Sequence, residues 1–218
     1  GFLWYEDINA TSTLFAYYPW QEGGDIPAEF SVKADQSGDN YTASDLIVAV
    51  KAGVKPTLSS TQMTFKHKMS RIVIDVTNES GFDITNIVIK GAVGTGVLDP
   101  ATGNFTAKAD AEASDLIANT ATANKVYYAL LVPQNGVKLM VTVTTADGKK
   151  RTQTLGTADF KSGENRRMEC NVQPADIEVK FSGPITGWVD GDDLLPDGEG
   201  EVETPTVEWG GVKYEIVT

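Results

Sequence analysis

Cysteine and histidine are almost missing from this chain of 218 residues: Cys170 and His67 are each the only one of their kind. A single thiol forms no internal disulfide, so a packed core has to hold the fold. Met168 and Cys170 alternate with Glu169 and Asn171, which predicts a strand with the thiol turned into a core and chemically inert. Any catalytic triad or zinc site would have to run through His67, in Phe65-Lys66-His67-Lys68. No Gly-x-Ser-x-Gly elbow accompanies it, and one histidine with one distant cysteine is too small a ligand supply for zinc. His67 is therefore expected to be structural, with no metal or cofactor. Phosphate-binding loops are absent too: Gly91-Ala92-Val93-Gly94-Thr95-Gly96 lies between two strand patterns and reads as a flexible turn. No run approaches the ~20 apolar residues of a membrane-spanning helix. Basic residues number 18 against 30 acidic ones, a net charge of −12, and that sign repels nucleic acid and anionic lipid surfaces.

What the chain does have is alternation. Hydrophobic residues make up 41% and charged residues 22%, the balance of a globular protein with a real core. Period-two patterns run through 69–76, 84–90, 126–132, 137–145, 166–173 and 176–181, each the signature of a half-buried strand. Between them stand turn formers: Asn78-Glu79-Ser80-Gly81, Asp99-Pro100-Ala101-Thr102-Gly103, Gln134-Asn135-Gly136 and Asp147-Gly148. The last predicts a hairpin whose turn uses positive φ. Strands spaced about ten residues apart, with no long helical period, predict a β-sandwich. Short helices are expected at Ala43–Val50, with Ser44 as cap, and at Ala111–Ala118.

Composition shifts after Trp188. Residues 189–204 hold Asp190, Asp192, Asp193, Asp197, Glu199, Glu201 and Glu203 and no base, which reads as a solvated, self-repelling linker. The acids do not match an EF-hand spacing, so calcium is not expected. Beyond the linker, Val207, Trp209, Val212, Tyr214 and Ile216 form an apolar stripe interrupted by Gly210-Gly211 and read as one more strand. At the other end the chain opens on Gly1-Phe2-Leu3-Trp4-Tyr5, apolar and without an initiating methionine, so a preceding segment is expected. Aromatics crowd this region: Phe2, Trp4, Tyr5, Phe15, Tyr17, Tyr18 and Trp20. Packing is their ordinary use, and Trp4, Tyr18 and Trp20 are candidates for stacking on a ligand such as a sugar ring. Asn-x-Ser/Thr sequons at Asn9, Asn40, Asn78 and Asn104 are no more than a Thr- and Asn-rich chain produces by chance.

Certain motifs, in order, narrow the field. They are Phe15-Ala16-Tyr17-Tyr18-Pro19-Trp20, Ala34-Asp35-Gln36-Ser37, Ser44-Asp45-Leu46-Ile47 and the stretch Thr64–Val76 with its Arg71. Ile87–Gly91, Leu98–Gly103, Leu131-Val132-Pro133-Gln134, Phe160–Gly163 and Ile185-Thr186-Gly187-Trp188 follow. Together they resemble the fimbrillin-like family, the subunits of type V pili assembled by strand donation in anaerobic gut and oral bacteria.

The resemblance implies an all-β protein of transthyretin-like sandwich domains, two in tandem, the first truncated here. On that basis 1–62 would be the remainder of an N-terminal β domain, 63–188 a C-terminal sandwich, 189–204 the linker and 205–218 a terminal strand segment. It implies no enzyme activity, export as a lipoprotein precursor, and residence in a fimbria at the outer membrane. Membrane attachment would run through an upstream lipid anchor. Other pilus subunits are the implied partners, with adhesion to a host protein or glycan as a further role. Strand donation would fall on Val207, Trp209, Val212, Tyr214 and Ile216. Alternatives are a tail strand that folds back on its own domain, a tail that begins a further domain, or a surface module that binds glycan or a host protein through the early aromatics.

Overall fold

The computed structural model describes residues 9–20, 26–56, 60–188, 206–209 and 212–215. In chain order the elements are β1 (Ser12–Tyr18), β2 (Glu29–Ser31), α1 (Asp39–Ala43), β3 (Ile47–Val54), β4 (Lys66–His67), β5 (Ser70–Asn78) and β6 (Ile84–Val93). Then come β7 (Thr95–Asp99), β8 (Asn104–Ala107), β9 (Ala113–Ile117), β10 (Asn119–Thr122), β11 (Val126–Leu131) and β12 (Gln134–Thr145). The chain closes with β13 (Lys150–Phe160), β14 (Glu164–Val172), β15 (Ile177–Gly187), β16 (Thr206–Trp209) and β17 (Val212–Glu215). It is all-β, and it divides into two units, Gly1–Trp188 and Val189–Thr218.

The first unit is built on two sheets, ordered β10-β11-β5-β14-β15 and β13-β12-β6-β9. Ladder neighbours are antiparallel except β5 and β14, which run parallel. The period-two residues line the space between the sheets. Val137, Leu139, Val141 and Val143 of β12 are buried, as are Ile87 and Ile89 of β6. From the other sheet come Ile72 and Ile74 of β5, Tyr127, Ala129 and Leu131 of β11, and Met168, Cys170 and Val172 of β14. All belong to one hydrophobic core, so the sheets form a sandwich. That core also takes in Phe30, Tyr41, Leu46 and Val48 from the first 62 residues. That part of the chain also supplies β1 and β3 of the small sheet β1-β3-β4 and the short β2 of the sheet β2-β7-β8.

Several local expectations give way to tertiary contacts. The predicted helix at Ala43–Val50 lies further upstream, over Asp39–Ala43. Ser44 does not open it but closes it: its hydroxyl donates to the Asn40 carbonyl at 2.7 Å and accepts from the Lys33 amide at 2.9 Å. Such back-bonding is the usual competitor to capping for serine. The β-branched run Ile47-Val48-Ala49-Val50 then enters β3. The alanine-rich stretch at 111–118 is not a helix, because Ala113–Ile117 pairs with β6, and pairing outweighs propensity. The turn at Asp147-Gly148 does connect β12 to β13, but only Gly148 has positive φ, +80°. Asp147 serves instead as an acceptor, from the Thr145 hydroxyl at 2.6 Å and the Lys149 amide at 3.2 Å.

The glycines of 91–96 form no flexible turn. They lie in and between β6 and β7, where strands come unusually close. A Cβ on Gly96 would stand 2.4 Å from the Phe105 ring, and one on Gly91 would stand 2.5 Å from the Lys138 carbonyl oxygen. Glycine serves there as the residue without a side chain, letting backbone and ring meet.

Cys170 faces the core as its alternation predicted and is fully buried. Burial pushes its thiol up to about 12. The sign follows from linkage: an unfolded thiol ionises near its ordinary value of about 8.5, while the folded one stays protonated. Between those values the unfolded chain binds fewer protons, so stability falls as pH rises, by up to about 1.4 kcal/mol per pH unit. Below that window the contribution is flat. Urea midpoints at pH 8, 9 and 10 should therefore decline, and more steeply for the wild type than for Cys170→Ala. Equal slopes would reject the assignment. Tyr127 and Tyr41, also raised by burial, add to the decline only above about pH 10.

Candidate assembly surfaces

Among the described residues no cluster of His, Cys, Asp or Glu could hold a metal ion, and no helix is long and apolar enough to cross a membrane. A cleft of about 460 Å³ lies beside the end of β3. It is lined by Lys51, Lys55, Thr61 and Gln62 among others, with no aromatic side chain among the described lining residues. The surfaces with chemistry to offer are strand edges and aromatic clusters.

His67 is part of a packed stack. Its ring lies parallel to that of Trp188, centroids 3.8 Å apart and planes 7° apart, with the Asp45 carboxylate 2.8 Å from Nδ1. The Arg71 guanidinium sits over Trp188 at 4.9 Å and over Tyr128 at 5.4 Å, and its Nε donates to Asn165 Oδ1 at 2.7 Å. Tyr41 of α1 lies 6.1 Å from Tyr128. Arg71 is only 4% exposed. It is on the face of β5 opposite Ile72 and Ile74, in register with Leu130 and Asn165 of the neighbouring strands. A buried guanidinium is tolerated where flat π faces and a hydrogen-bond acceptor replace water. The stack thus ties α1 and β4 to the outer face of the five-stranded sheet, and it ends on Trp188, the last residue before the acidic stretch.

Three glutamine amides act as single rungs of β-ladder. Gln36 donates from Nε2 to the Leu130 carbonyl at 2.8 Å and accepts the Leu130 amide at 2.7 Å. Gln134 accepts from the Val93 amide at 3.0 Å and donates to the Val93 carbonyl at 3.2 Å. Gln153 donates to the Val179 carbonyl at 2.9 Å and accepts the Val179 amide at 2.6 Å. A primary amide carries one acceptor and two donors in a plane, so it can mimic a peptide group opposite a strand. Gln36 is also where the chain joins β9: its own amide bonds the Ile117 carbonyl at 3.0 Å, and Ile117 bonds the Ala34 carbonyl at 2.7 Å. One flank of the sandwich is therefore closed by residues 34–36, backbone to one sheet and side chain to the other.

None of these roles is visible in alternation or spacing. Yet Gln36 and Gln134 fall inside Ala34–Ser37 and Leu131–Gln134, and Arg71 and Trp188 inside Thr64–Val76 and Ile185–Trp188, all motifs that carried the resemblance. Glutamine and arginine at set places in short motifs were the signal available.

Of the aromatics proposed for ligand contact, Tyr18 is 48% and Trp20 69% exposed, on either side of Pro19 at the end of β1. Trp4 lies outside the described residues. In the tail, Val207 and Trp209 belong to β16 and Val212 and Tyr214 to β17; Ile216 lies outside the described residues. The stripe is thus two strands rather than one, an antiparallel pair with Val207 opposite Tyr214 and Trp209 opposite Val212.

Comparison with known proteins agrees with this architecture. A search among curated proteins finds no match to this chain. Among solved structures, a proposed cell adhesion protein from Bacteroides ovatus superposes with a TM-score of 0.67 at 22% identity, over 83% of this chain and 69% of its own. A second, from Bacteroides uniformis, gives 0.65 at 16% identity, over 82% and 73%. At such identities the likeness concerns the fold. The fimbrillin-like family model matches residues 2–188, which spans both flanks of the sandwich, the Arg71 stack and all three glutamine rungs. With that match across nearly the whole of the first unit, the chain belongs to the fimbrillin-like family.

Proposed function

We propose that this protein is a structural, non-enzymatic subunit of a bacterial surface fimbria, or an accessory or tip protein of one, and that its tail supplies strand to a neighbouring subunit. The observation that carries the reading is the tail itself. Val189–Thr218 forms a unit of its own whose sheet is a pair of four-residue strands. A two-stranded ribbon is marginal in water and gains stability when a further sheet pairs with it. Strand addition to another subunit satisfies the backbone edge and places alternate side chains in pockets. Val207, Trp209, Val212, Tyr214 and Ile216 are the donor residues in this reading, and the acidic 189–204 segment is the tether. Export, and a lipid anchor carried upstream of Gly1, complete the scheme.

Light scattering after size exclusion, on the intact chain and on a version ending at Gly200, tests it. The intact chain should form oligomers that the shortened one cannot. Two monomers of equal stability would sink tail-driven assembly. In that outcome the exposed Tyr18 and Trp20 become the better functional surface, and adhesion to a glycan or host protein the better role.

A further inference from the structure

On the flank opposite Gln36, side chains close the sandwich. Among the described residues no backbone hydrogen bond joins β13 to β15. Arg151 Nη2 donates to the Pro174 carbonyl at 2.8 Å, and Arg166 Nη1 to the Asp159 carbonyl at 2.7 Å. Between them the Gln153 amide takes both backbone groups of Val179. Those two groups point away from β14, so Val179 stands at a rung where β15 offers a full hydrogen-bonding pair to one more strand. Gln36 and Gln134 fill rungs that the chain itself encloses. Gln153 fills one on the outermost strand of the five-stranded sheet.

That edge is self-complementary. Antiparallel two-fold pairing of β15 with β15 of a second copy, centred on Val179, would set Glu178 of each chain opposite Lys180 of the other. Ile177 would meet Phe181. Opposite charges and apolar pairs facing each other across strands are the favourable combinations, and a two-fold contact offers each pair twice. Further along, β15 is already blunted. Its register slips between Arg167/Ser182 and Asn165/Thr186, where Gly183 has φ +66° and Pro184 brings no N–H, so bulge and proline spoil pairing there. The stretch around Val179 has no such defect.

We infer that Gln153 is an autoinhibitory edge guard: its amide occupies, within one chain, the β15 rung through which a second copy of this chain would otherwise add a strand. The guard keeps lateral self-association from competing with whatever end-to-end contact builds the assembly. It concerns a different surface from the tail, so each can fail without the other.

The test mixes two full-chain variants, one carrying E178C and the other K180C, each with and without Q153V, so that a crosslinked pair of copies still keeps one Glu178–Lys180 pairing. Pairing centred on Val179 brings the two introduced thiols of different copies face to face, whereas the native Cys170 is buried and its pKa raised. With Gln153 present, oxidation should leave this contact uncrosslinked. With Q153V, a disulfide-linked dimer should appear, and in uncrosslinked Q153V the Val179 amide should exchange with solvent about tenfold faster in dilute solution. Folded Q153V that exchanges faster yet yields no crosslink overturns the proposal, since the freed edge would then attract no second copy. Should Q153V fail to fold, Q153N, whose shorter amide cannot reach Val179, replaces it under the same criteria. If both fail to fold, Gln153 is a structural closure and not a guard.

Discussion

Gln36→Ala should destabilise the protein by about 2–6 kcal/mol, because each buried backbone group left without a partner costs about 1–3 kcal/mol. Two such groups are at stake, the amide and carbonyl of Leu130. Both are out of reach of solvent: Gln36 and Leu130 are each 0% exposed. The ladder gives no substitute, since β10 pairs with β11 only from Val126 to Tyr128 and stops short of Leu130. In urea the midpoint should move down by roughly 1–2 M with the slope unchanged, given slopes of about 1–3 kcal/mol per molar for domains of ordinary size. A shift under about 0.3 M would mean that water enters and satisfies Leu130, and the role assigned to Gln36 would be wrong. Gln36→Glu sharpens the test. At neutral pH a carboxylate can still accept the Leu130 amide, but it faces the Leu130 carbonyl with no proton to donate, so it should be no better than alanine. Near pH 4, a protonated carboxyl recovers one donor and part of the loss.

Arg71→Ala should cost about 2–4 kcal/mol, a net of opposing terms. Lost are two cation–π contacts, each worth up to about 2 kcal/mol when desolvated, and the hydrogen bond that satisfies Asn165 Oδ1. Against that, removing a buried cation relieves its desolvation. The cation–π contacts and the hydrogen bond outweigh that relief because the guanidinium lies against two aromatic faces, Tyr128 and Trp188. Arg71→Lys keeps the charge and loses the flat stack, so it should recover less than half of the loss. The distinguishing readout is local. Trp188 rests on both Arg71 and His67, and in a background with Trp4, Trp20 and Trp209 replaced by Phe its emission should shift to the red in the alanine variant as water reaches the indole. A variant that loses stability with Trp188 emission unchanged would mean that the stack does not depend on Arg71.

The period-two runs located β5, β6, β11, β12 and β14 to within three residues at either end and β15 except for its last six residues, and they assigned Cys170 to the core. They could do so because a strand with one buried face writes its geometry into every second residue, and the face is chosen by water. Motif order carried the family, because short loops and their flanking residues keep fixed offsets along the chain.

Other features depend on residues far apart in sequence. Gln36 pairs with Leu130, Gln153 with Val179 and Arg71 with Asn165, and no local pattern marks which polar side chain will meet an unfilled rung. The glycines at 91–96 read as a turn because their reason, the Phe105 ring and the Lys138 carbonyl, arrives from elsewhere in the chain. Helix signals at Ser44 and in the alanines of 111–118 were real but weak, of a size that one strand ladder overrides. By itself the sequence determined which apolar residues of the alternating strands leave water and where β12 turns into β13 at Asp147-Gly148, since both are settled by a residue and its near neighbours. Only the tertiary structure decided how the sandwich is closed along its flanks and where a cation could be buried. A peptide edge or a guanidinium must find its partner in space, and that partner is set by how the sheets come together.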